Sequence, residues 1–367
     1  MRPARHVRWI GFSILLLLAL LVCVFLIADK TPLNQSVFRR ATRVTTLYDN
    51  VYLWRSSNLL LFGRLHWGVT NTTEREVVQL DCSTGAITPL EWPFQWIHLE
   101  DVAVSPDGRR LLIDNYSEIG SDVKSYEVLE LNGQRQFPSN YKGHIYINHA
   151  SNTLWFPDNR RWISLCIGGP DIADNGMCAV LQSLDGAQNR RYPSFGFPRD
   201  SARWPDTFGN TLLGFVGKDR ILVLPKVSLE SSEYRGGVSL YEIDAGPSPN
   251  LKEFVLPIMQ GGRALDIALS PGGDRLALLV HSNQLPPLSP LRRFLSRWYP
   301  PLLPKQHEVI ELYTVRLDGT EKRSLGLLPP VKGMSPYLYE EYKLAWTPEG
   351  KNLSFIHQHT LWKIPSE

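Results

Sequence analysis

The sequence predicts an all-β repeat protein, and two observations carry that prediction. From residue 43 onward, short runs of Val, Ile, Leu, Tyr and Trp alternate with turns of Gly, Pro, Asn and Asp, which is typical of strands joined by tight turns. A strand–turn–strand pattern with a Ser-Pro-Asp-Gly turn at 102–114 returns in related form at 265–280 and 342–356. Pro presets φ in such a turn and Gly accepts the positive φ that follows. The recurrence indicates one repeating structural unit.

A second landmark is an outer strand followed by a turn that contains Gly. It recurs at Gly85, Gly133, Gly186, Gly246 and Gly319, with spacings of 48, 53, 60 and 73 residues. These spacings approach the length of a propeller blade once insertions are allowed. Six units can be counted, so the sequence predicts a six-bladed β-propeller, with a seven-bladed ring as the alternative.

Two of the units have weaker turns, and the last unit is incomplete. In the first unit, residues 56–58 (Ser-Ser-Asn) replace the turn; in the third, either 150–152 or 157–159 forms it. The sixth unit lacks an outermost strand. Because a ring needs its last blade joined to its first, we expect residues 43–48 to supply that strand.

The Ser-Pro-Asp-Gly pattern, with its trailing aliphatic run, resembles the WD40-like repeats of TolB-type β-propellers. The resemblance covers most of residues 43–364, and its strong matches are 102–114, 265–280 and 342–356. It implies a propeller fold, and the proteins that share it include periplasmic interaction scaffolds and the propeller halves of serine peptidases. Those peptidases carry a hydrolase domain, for which this chain has neither room nor a G-x-S-x-G nucleophile motif.

An uncharged segment near the amino terminus predicts a membrane anchor. Residues 9–28 are 20 consecutive residues without a charge, enough for a helix of about 30 Å. A cleaved signal peptide is the alternative, but its apolar region would be shorter and end at a small-residue site. Cys23 lacks the small preceding residue that lipid attachment requires. Arg2, Arg5 and Arg8 precede the helix, so the positive-inside rule places the amino terminus in the cytoplasm and the remainder outside.

The predicted organisation is therefore a cytoplasmic head (1–8), a transmembrane anchor (9–28), a polar stalk (29–42) and a propeller (43–367). The chain has 39 Lys and Arg against 36 Asp and Glu, and the excess of three lies in the first eight residues. The extracytoplasmic part is then neutral. Broad nucleic-acid binding needs a concentrated basic surface, so it is not expected.

A Pro-rich insertion, residues 283–306, is the largest departure from the repeat. Ser289 suits an N-cap, Pro290 the first helical position and Pro300 the end, which predicts a helix over 289–299. Its apolar stripe and basic side chains suit an anionic lipid surface, a lid or partner contact, or packing on the propeller's own side. The candidate binding surface consists of Leu291, Arg292, Arg293, Phe294, Arg297 and Trp298.

The loop between Cys166 and Cys178 is a second candidate. Outside the cytoplasm these two cysteines can form a disulfide if they face each other across a hairpin, but two unpaired buried thiols are favoured. Asp171, Asp174 and Asn175 are weak candidates for Ca²⁺, which needs six to eight oxygen ligands, so a solvated turn is favoured. No other metal site and no cofactor are predicted, because the histidines show no zinc-binding spacing.

Acidic residues near the propeller axis provide the case for catalysis. Asp101, Asp114, Asp266 and Glu341 are positioned to reach the axis, where paired carboxylates act as acid and base. Asp101 and Asp266 occupy matching places in their units, which favours a repeated structural contact. The sequence therefore favours a membrane-anchored scaffold that binds a protein or glycan partner. A propeller enzyme of the hydrolase or lactonase type is the alternative, and a passive structural spacer is the second.

Overall fold

The computed structural model describes slightly more than half of the chain, as a series of segments that hold the strands and their shorter turns. The described residues are 36–47, 51–67, 73–90, 99, 102–115, 125–131, 135–136, 153–167, 177–185, 190–192, 211–218, 220–224, 237–244, 251–257, 262–284, 297, 307–329 and 342–367. In these residues the regular structure is β-strand apart from the 3₁₀ turn Val37–Arg39 and the single residue Leu99, which is also in a 3₁₀ conformation.

The strands of the first half, in chain order, are β1 (Thr42–Thr46), β2 (Tyr52–Trp54), β3 (Leu59–Trp67), β4 (Thr73–Asp81), β5 (Ile87–Pro89), β6 (Val102–Val104), β7 (Arg110–Asn115), β8 (Ser125–Glu130), β9 (Arg135–Gln136), β10 (Thr153–Trp155), β11 (Arg161–Ile167), β12 (Met177–Ser183) and β13 (Arg190–Tyr192). Those of the second half are β14 (Thr211–Val216), β15 (Arg220–Leu224), β16 (Gly237–Asp244), β17 (Leu251–Pro257), β18 (Arg263–Leu269), β19 (Arg275–Gln284), β20 (His307–Arg316), β21 (Arg323–Leu328), β22 (Leu344–Trp346), β23 (Asn352–His357) and β24 (Thr360–Pro365).

These strands form six four-stranded antiparallel sheets. Sheets 1 to 5 each contain four consecutive strands, starting with β2–β5, whereas sheet 6 has the order β1-β24-β23-β22. The first strands of successive sheets contact one another from β2 to β22. Tyr52 of sheet 1 hydrogen-bonds to Ser354 of sheet 6, so the series returns to its start. The arrangement is a β-propeller, which confirms the fold that the TolB-type resemblance implied.

The amino-terminal strand closes this ring. β1 pairs with β24 from Thr42 opposite Lys363 to Thr46 opposite Thr360, with one irregularity in register between. The backbone N–H of Leu47 then donates to the carbonyl of His359 at 2.7 Å. The prediction that residues 43–48 complete the sixth unit is confirmed for the described residues of that segment.

The folded part begins earlier than the predicted stalk boundary at residue 42. Ser36 forms a parallel bridge with Leu327 of β21, and Val37 is fully buried. The ring of Phe38 lies 4.7 Å from that of Trp362 and 5.3 Å from that of His357, centroid to centroid. Apolar side chains at 37 and 38 therefore bind residues 36–41 to sheets 5 and 6, and only 29–35 remain of the predicted stalk.

The Pro-Asp-Gly turn of sheet 2 and the Pro-Gly-Gly turn of sheet 5 explain how neighbouring sheets pack so closely. Gly108 and Gly273 have φ values of 69° and 71°, and a Cβ at either position would collide with a backbone carbonyl of the preceding sheet, that of Arg55 or Phe215. Glycine is thus required both by the turn and by the approach of the next sheet. In sheet 3 the turn is 157–159, where Asn159 has a φ of 57°.

Tryptophans at the ends of first strands connect adjacent sheets. The indole N–H of Trp155 donates to the carbonyl of Ala103 at 3.1 Å, and Trp346 donates to Ala268 at the same distance. Each indole thus satisfies a partly buried carbonyl of the preceding sheet, as a buried indole N–H requires.

Sheet 1 makes the equivalent contact through a serine. Trp54 donates to the hydroxyl of Ser354 at 2.8 Å, and that hydroxyl donates to the carbonyl of Ala345 at 3.1 Å. The contact that closes the ring is therefore built on the same strand position as those within it.

The anchor and most of the insertion lie outside the described residues. Within the described ranges no helix is long and apolar enough to cross a membrane, and the predicted span 9–28 is not among them. Of the predicted helix 289–299, only Arg297 is described; it is exposed and lies in a turn. The helix over 289–299 therefore stays a prediction.

Two glycine substitutions test the packing role of the turns. Gly217 has a φ of 75° with open space around its Cβ position, so Gly217→Ala should cost only the positive φ, about 1 kcal/mol. Gly108→Ala adds a backbone collision and should lower the free energy of unfolding by a further 2 kcal/mol or so. Chemical denaturation followed by tryptophan fluorescence measures both. Equal losses would show that the close approach at Gly108 does not matter.

Candidate functional face

The propeller has two unequal ends. Because strands alternate in direction, connections between first and second strands and between third and fourth strands lie at one end, here called the turn end. Connections between second and third strands, and from each sheet to the next, lie at the other, here called the loop end. The two ends differ in the length of their connections and therefore in what they can do.

The turn end has short connections, and polar groups of neighbouring turns are hydrogen-bonded to one another. First and second strands are joined by three to five residues in every sheet. The backbone N–H of Ser57 donates to the carboxylate of Glu349 at 3.0 Å, and that of Asp107 donates to the side-chain oxygen of Asn159 at 2.9 Å. Arg110 donates to the carbonyl of Asn159 at 2.9 Å. These bonds join turns of adjacent sheets, so this end serves the structure.

The loop end carries the long connections. Between second and third strands they reach 9 residues at 168–176, 12 at 225–236 and 22 at 285–306, and between sheets they reach 18 at 193–210. Long connections on a rigid scaffold are the usual carriers of binding function. The loop end is therefore the candidate functional face.

Both sequence-predicted contact surfaces begin and end on this face. Ile167 pairs with Met177 at the base of the loop that contains Asp171, Asp174 and Asn175. Gln284 pairs with His307 at the base of the insertion, where β19 and β20 form a ladder of ten residue pairs. The six candidate surface residues and the three Ca²⁺ candidates themselves are outside the described residues, apart from the exposed Arg297. Their strands place them in sheets 3 and 5, with sheet 4 between.

Ionisable side chains lie beside the base of the insertion, and no sequence motif marked them. The register places Arg263 of β18, which is buried, opposite His281 of β19. The imidazole of His281 lies 4.0 Å from the carboxylate of the exposed Glu308 in β20. All three side chains lie near the loop end, since β18 and β20 start there and β19 ends there.

Asp266 is the predicted axial acid that the structure describes, and its carboxylate serves a structural contact. One oxygen accepts the backbone N–H of Ile267 at 2.8 Å, and the other accepts that of Leu344 in β22 at 2.6 Å. It thus connects the first strands of sheets 5 and 6, as its repeated position favoured. Burial raises its pKa to about 7, although both N–H groups and the nearby Lys343 ammonium favour the charged form.

Tyr52 lies in the same inner layer. Its hydroxyl is 3.0 Å from the hydroxyl of Ser354 and 3.3 Å from the carbonyl of Lys343. Burial raises its pKa above the ordinary value, so the phenol stays neutral. Together with Asp266 it forms a polar layer that holds sheets 5, 6 and 1 together.

The remaining candidates for chemistry are placed as follows. Asp101, Glu341 and the side chain of Asp114 lie outside what the structure describes. Cys166 and Cys178 are direct partners across β11 and β12. Among the described residues no group of three or more His, Cys, Asp and Glu side chains is arranged to hold a metal ion.

His357 and His359 do not share a strand. His357 ends β23, and Gln358 and His359 form a two-residue turn with φ values of 51° and 57°. Two adjacent non-glycine residues with positive φ are uncommon, and no local sequence signal marked this turn.

No protein-family model matches the sequence, and no curated protein matches it. Among solved structures, the chain is similar to an oligogalacturonate lyase in complex with manganese, with 11% identity over 89% of this chain and 92% of that one and a TM-score of 0.44. It is also similar to a putative TolB from Agrobacterium tumefaciens, with 13% identity, 88% and 89% coverage and a TM-score of 0.42. A third similar structure is the tricorn protease, with 9% identity over 90% of this chain and 33% of that one and a TM-score of 0.43.

The raised pKa of Asp266 predicts a specific pH dependence of stability. The folded state binds this proton more tightly than the unfolded chain, whose ordinary pKa is 3.8, so the free energy of unfolding should fall between about pH 4 and 7. Asp266→Asn should remove this slope. The exposed Asp318, whose pKa is lowered by hydrogen bonds to Thr320, supplies the control, since Asp318→Asn should leave the slope unchanged. Denaturation curves from pH 4 to 8 measure it. A slope that persists in Asp266→Asn would assign it to another group.

Proposed function

We propose that the chain is a single-pass membrane protein with a cytoplasmic amino terminus and an extracytoplasmic six-bladed propeller that acts as a binding or protein-interaction scaffold. The six sheets, the last completed by β1, support six blades rather than seven. The proposed binding function is supported by the difference between the two ends, of which only the loop end carries long connections. The turns at the turn end are hydrogen-bonded to one another, and the long connections at the loop end are exposed to a protein or glycan partner.

The position of residue 36 supports a propeller held close to the membrane. Ser36 is fixed beside Leu327 of sheet 5, so only residues 29–35 separate it from the proposed anchor 9–28. Seven residues span at most about 25 Å. Sheet 5 also bears the insertion, and Leu327 is one residue from the end of β21 that lies at the loop end. The attachment and the insertion thus belong to the same sheet and the same end of it.

This shared position favours the lipid-contact interpretation of the insertion. Leu291, Phe294 and Trp298 with the neighbouring arginines suit the interface of an anionic bilayer. In this arrangement the insertion is a second membrane contact, and the other long connections of the loop end remain for a partner.

The state of Asp266 favours a scaffold over carboxylate catalysis at this position. A general acid or base needs an oxygen that can reach substrate. Both oxygens of Asp266 accept backbone N–H groups of the propeller itself.

Binding to liposomes tests the membrane contact without the anchor. Residues 36–367 retain every described packing contact of the propeller, and we expect them to co-sediment with anionic but not with neutral liposomes. Substitution of Leu291, Phe294 and Trp298 by Ser should weaken this binding about tenfold or more, because it removes the apolar side chains that would enter the bilayer.

A matched control tests whether the loss of any exposed apolar side chains would weaken binding. Ile87 and Val255, 46% and 56% exposed on outer strands of sheets 1 and 4, can be changed to Ser together without effect on binding. A folded protein that does not bind anionic liposomes, or that loses binding equally in both variants, would contradict the lipid contact and assign the insertion to a protein partner.

A further inference from the structure

The stem of the insertion projects beyond the neighbouring sheet at the loop end. The strands β19 and β20 form ten residue pairs from Arg275 onward, whereas β23 and β24 form six from Asn352 onward. Both ladders start directly after the equivalent turn of their sheet, 270–274 and 347–351. The four additional pairs correspond to about 13 Å of strand. The stem therefore stands beside sheet 6 as a wall.

The side of this wall that faces sheet 6 carries exposed polar side chains. Leu279 of β19 packs in the core shared by sheets 5 and 6, and alternate residues of a strand point to the same side. His281 and Asn283 therefore also face sheet 6. Glu308 of β20 is the direct partner of Asn283 and shares its side. Asn283 is exposed, and 57% of the Glu308 side chain is accessible, so an amide and a carboxylate are presented together.

The floor beneath this wall is the turn of Gln358 and His359, and both residues are exposed. It is the shortest of the six connections between second and third strands, whereas the insertion is the longest. The carbonyl of His359 accepts the backbone N–H of Leu47 at 2.7 Å, so the segment that closes the ring also holds the turn in place. Wall and floor form a step, here called the polar ledge, which consists of Asn283, Glu308, Gln358 and His359.

The backbone of this turn favours a role for its side chains. Gln358 and His359 have φ values of 51° and 57°. Asn-Gly or Asp-Gly would adopt two successive positive φ values with less strain. Backbone outliers of this kind cluster at functional sites. The retention of Gln and His at this position thus indicates that a partner uses the two side chains.

The chemistry of the polar ledge suits sugar hydroxyl groups. Its four side chains are two amides, one carboxylate and one imidazole. Amides and imidazoles donate and accept hydrogen bonds, and the carboxylate accepts them, which matches a hydroxyl group in both roles. None of the four is an apolar or aromatic anchor of the kind on which protein interfaces depend. The charge of Glu308 opposes the approach of an anionic group.

We propose that the polar ledge binds a neutral oligosaccharide. The proposal rests on the scaffold function proposed above and assigns a glycan to this part of the loop end. Asn283 and Glu308 bind sugar hydroxyls from the wall, and Gln358 and His359 bind them from the floor. The carboxylate of Glu308 selects against acidic sugars by like-charge repulsion.

Calorimetric titration of the full chain in phosphatidylcholine nanodiscs tests the proposal. The probes are linear hexasaccharides of glucose and of N-acetylglucosamine, with an alginate hexasaccharide as the acidic probe. At least one neutral probe should bind, and the alginate should not. Asn283→Ala combined with Glu308→Ala should weaken neutral binding about tenfold or more, because it removes the hydrogen bonds of the wall.

Thr88→Ala combined with Lys252→Ala supplies the matched control, since both residues are exposed polar residues on outer strands of sheets 1 and 4. It should leave binding unchanged. Failure of every neutral probe to bind, or equal losses in the two double variants, would overturn the proposal.

A second pair of substitutions separates the side chains of the floor from its backbone. Gln358→Asn combined with His359→Gly gives the turn its preferred residues, so the thermal unfolding temperature should stay the same or rise. Binding of the neutral probe should nevertheless weaken about tenfold or more. Unchanged binding would remove the floor from the site and overturn the ledge.

The charge of the wall is tested separately. Glu308→Gln keeps a hydrogen-bonding group and removes the charge, so the neutral probe should still bind and the alginate hexasaccharide should now bind as well. Continued exclusion of alginate would overturn the selection by Glu308.

Co-sedimentation of residues 36–367 with anionic liposomes, measured in parallel, separates the ledge from the proposed scaffold function. That binding depends on the insertion, and the substitutions in the ledge should not change it. A protein that binds liposomes but no neutral oligosaccharide would overturn the ledge and leave the scaffold function. A folded protein that binds neither would overturn both.

Discussion

The pairing of β1 with β24 is the interaction on which the rest of the propeller depends. Without it, the last sheet would have three strands and β24 would expose an unpaired edge, which natural sheets avoid. Because β1 comes from the amino terminus and β24 from the carboxyl terminus, their ladder joins the two ends of the chain. Arg40 adds a hydrogen bond to the backbone of Glu367 at 2.5 Å. Closure therefore also decides where the amino-terminal segment is attached, against sheets 5 and 6.

Closure of the ring makes the contacts between neighbouring sheets depend on one another. The indole bonds of Trp155 and Trp346, the carboxylate of Asp266 and the polar layer around Tyr52 each connect one sheet to the next. In a closed series, movement at one boundary must be compensated at the others. The ring is thus a fixed frame, and the freedom to vary in sequence and length is left to the connections of the loop end.

Local signals made the fold predictable, whereas long-range contacts decided the site. The Pro-Asp-Gly turn specifies its hairpin with adjacent residues, so the strand pairs were readable; sheet 3 stayed ambiguous because Asn159 supplies the positive φ in place of Gly. Asp266 could be placed near the axis from its repeat position, but its role depends on Leu344, 78 residues away. The tryptophans before the turns were a visible signal whose meaning required the neighbouring sheet. For the insertion, the structure adds the position of its base at Gln284 and His307.

The central claim, that the amino-terminal strand closes the propeller, is tested most directly by supplying it in trans. Thermal unfolding of residues 36–367 is compared with that of 48–367, alone and with a synthetic peptide of residues 36–47. Closure predicts that the shorter chain unfolds at a clearly lower temperature and that the peptide raises this temperature in a concentration-dependent way, because it binds only the folded ring. A shorter chain that unfolds at the same temperature as the longer one, with no response to the peptide, would contradict closure by β1.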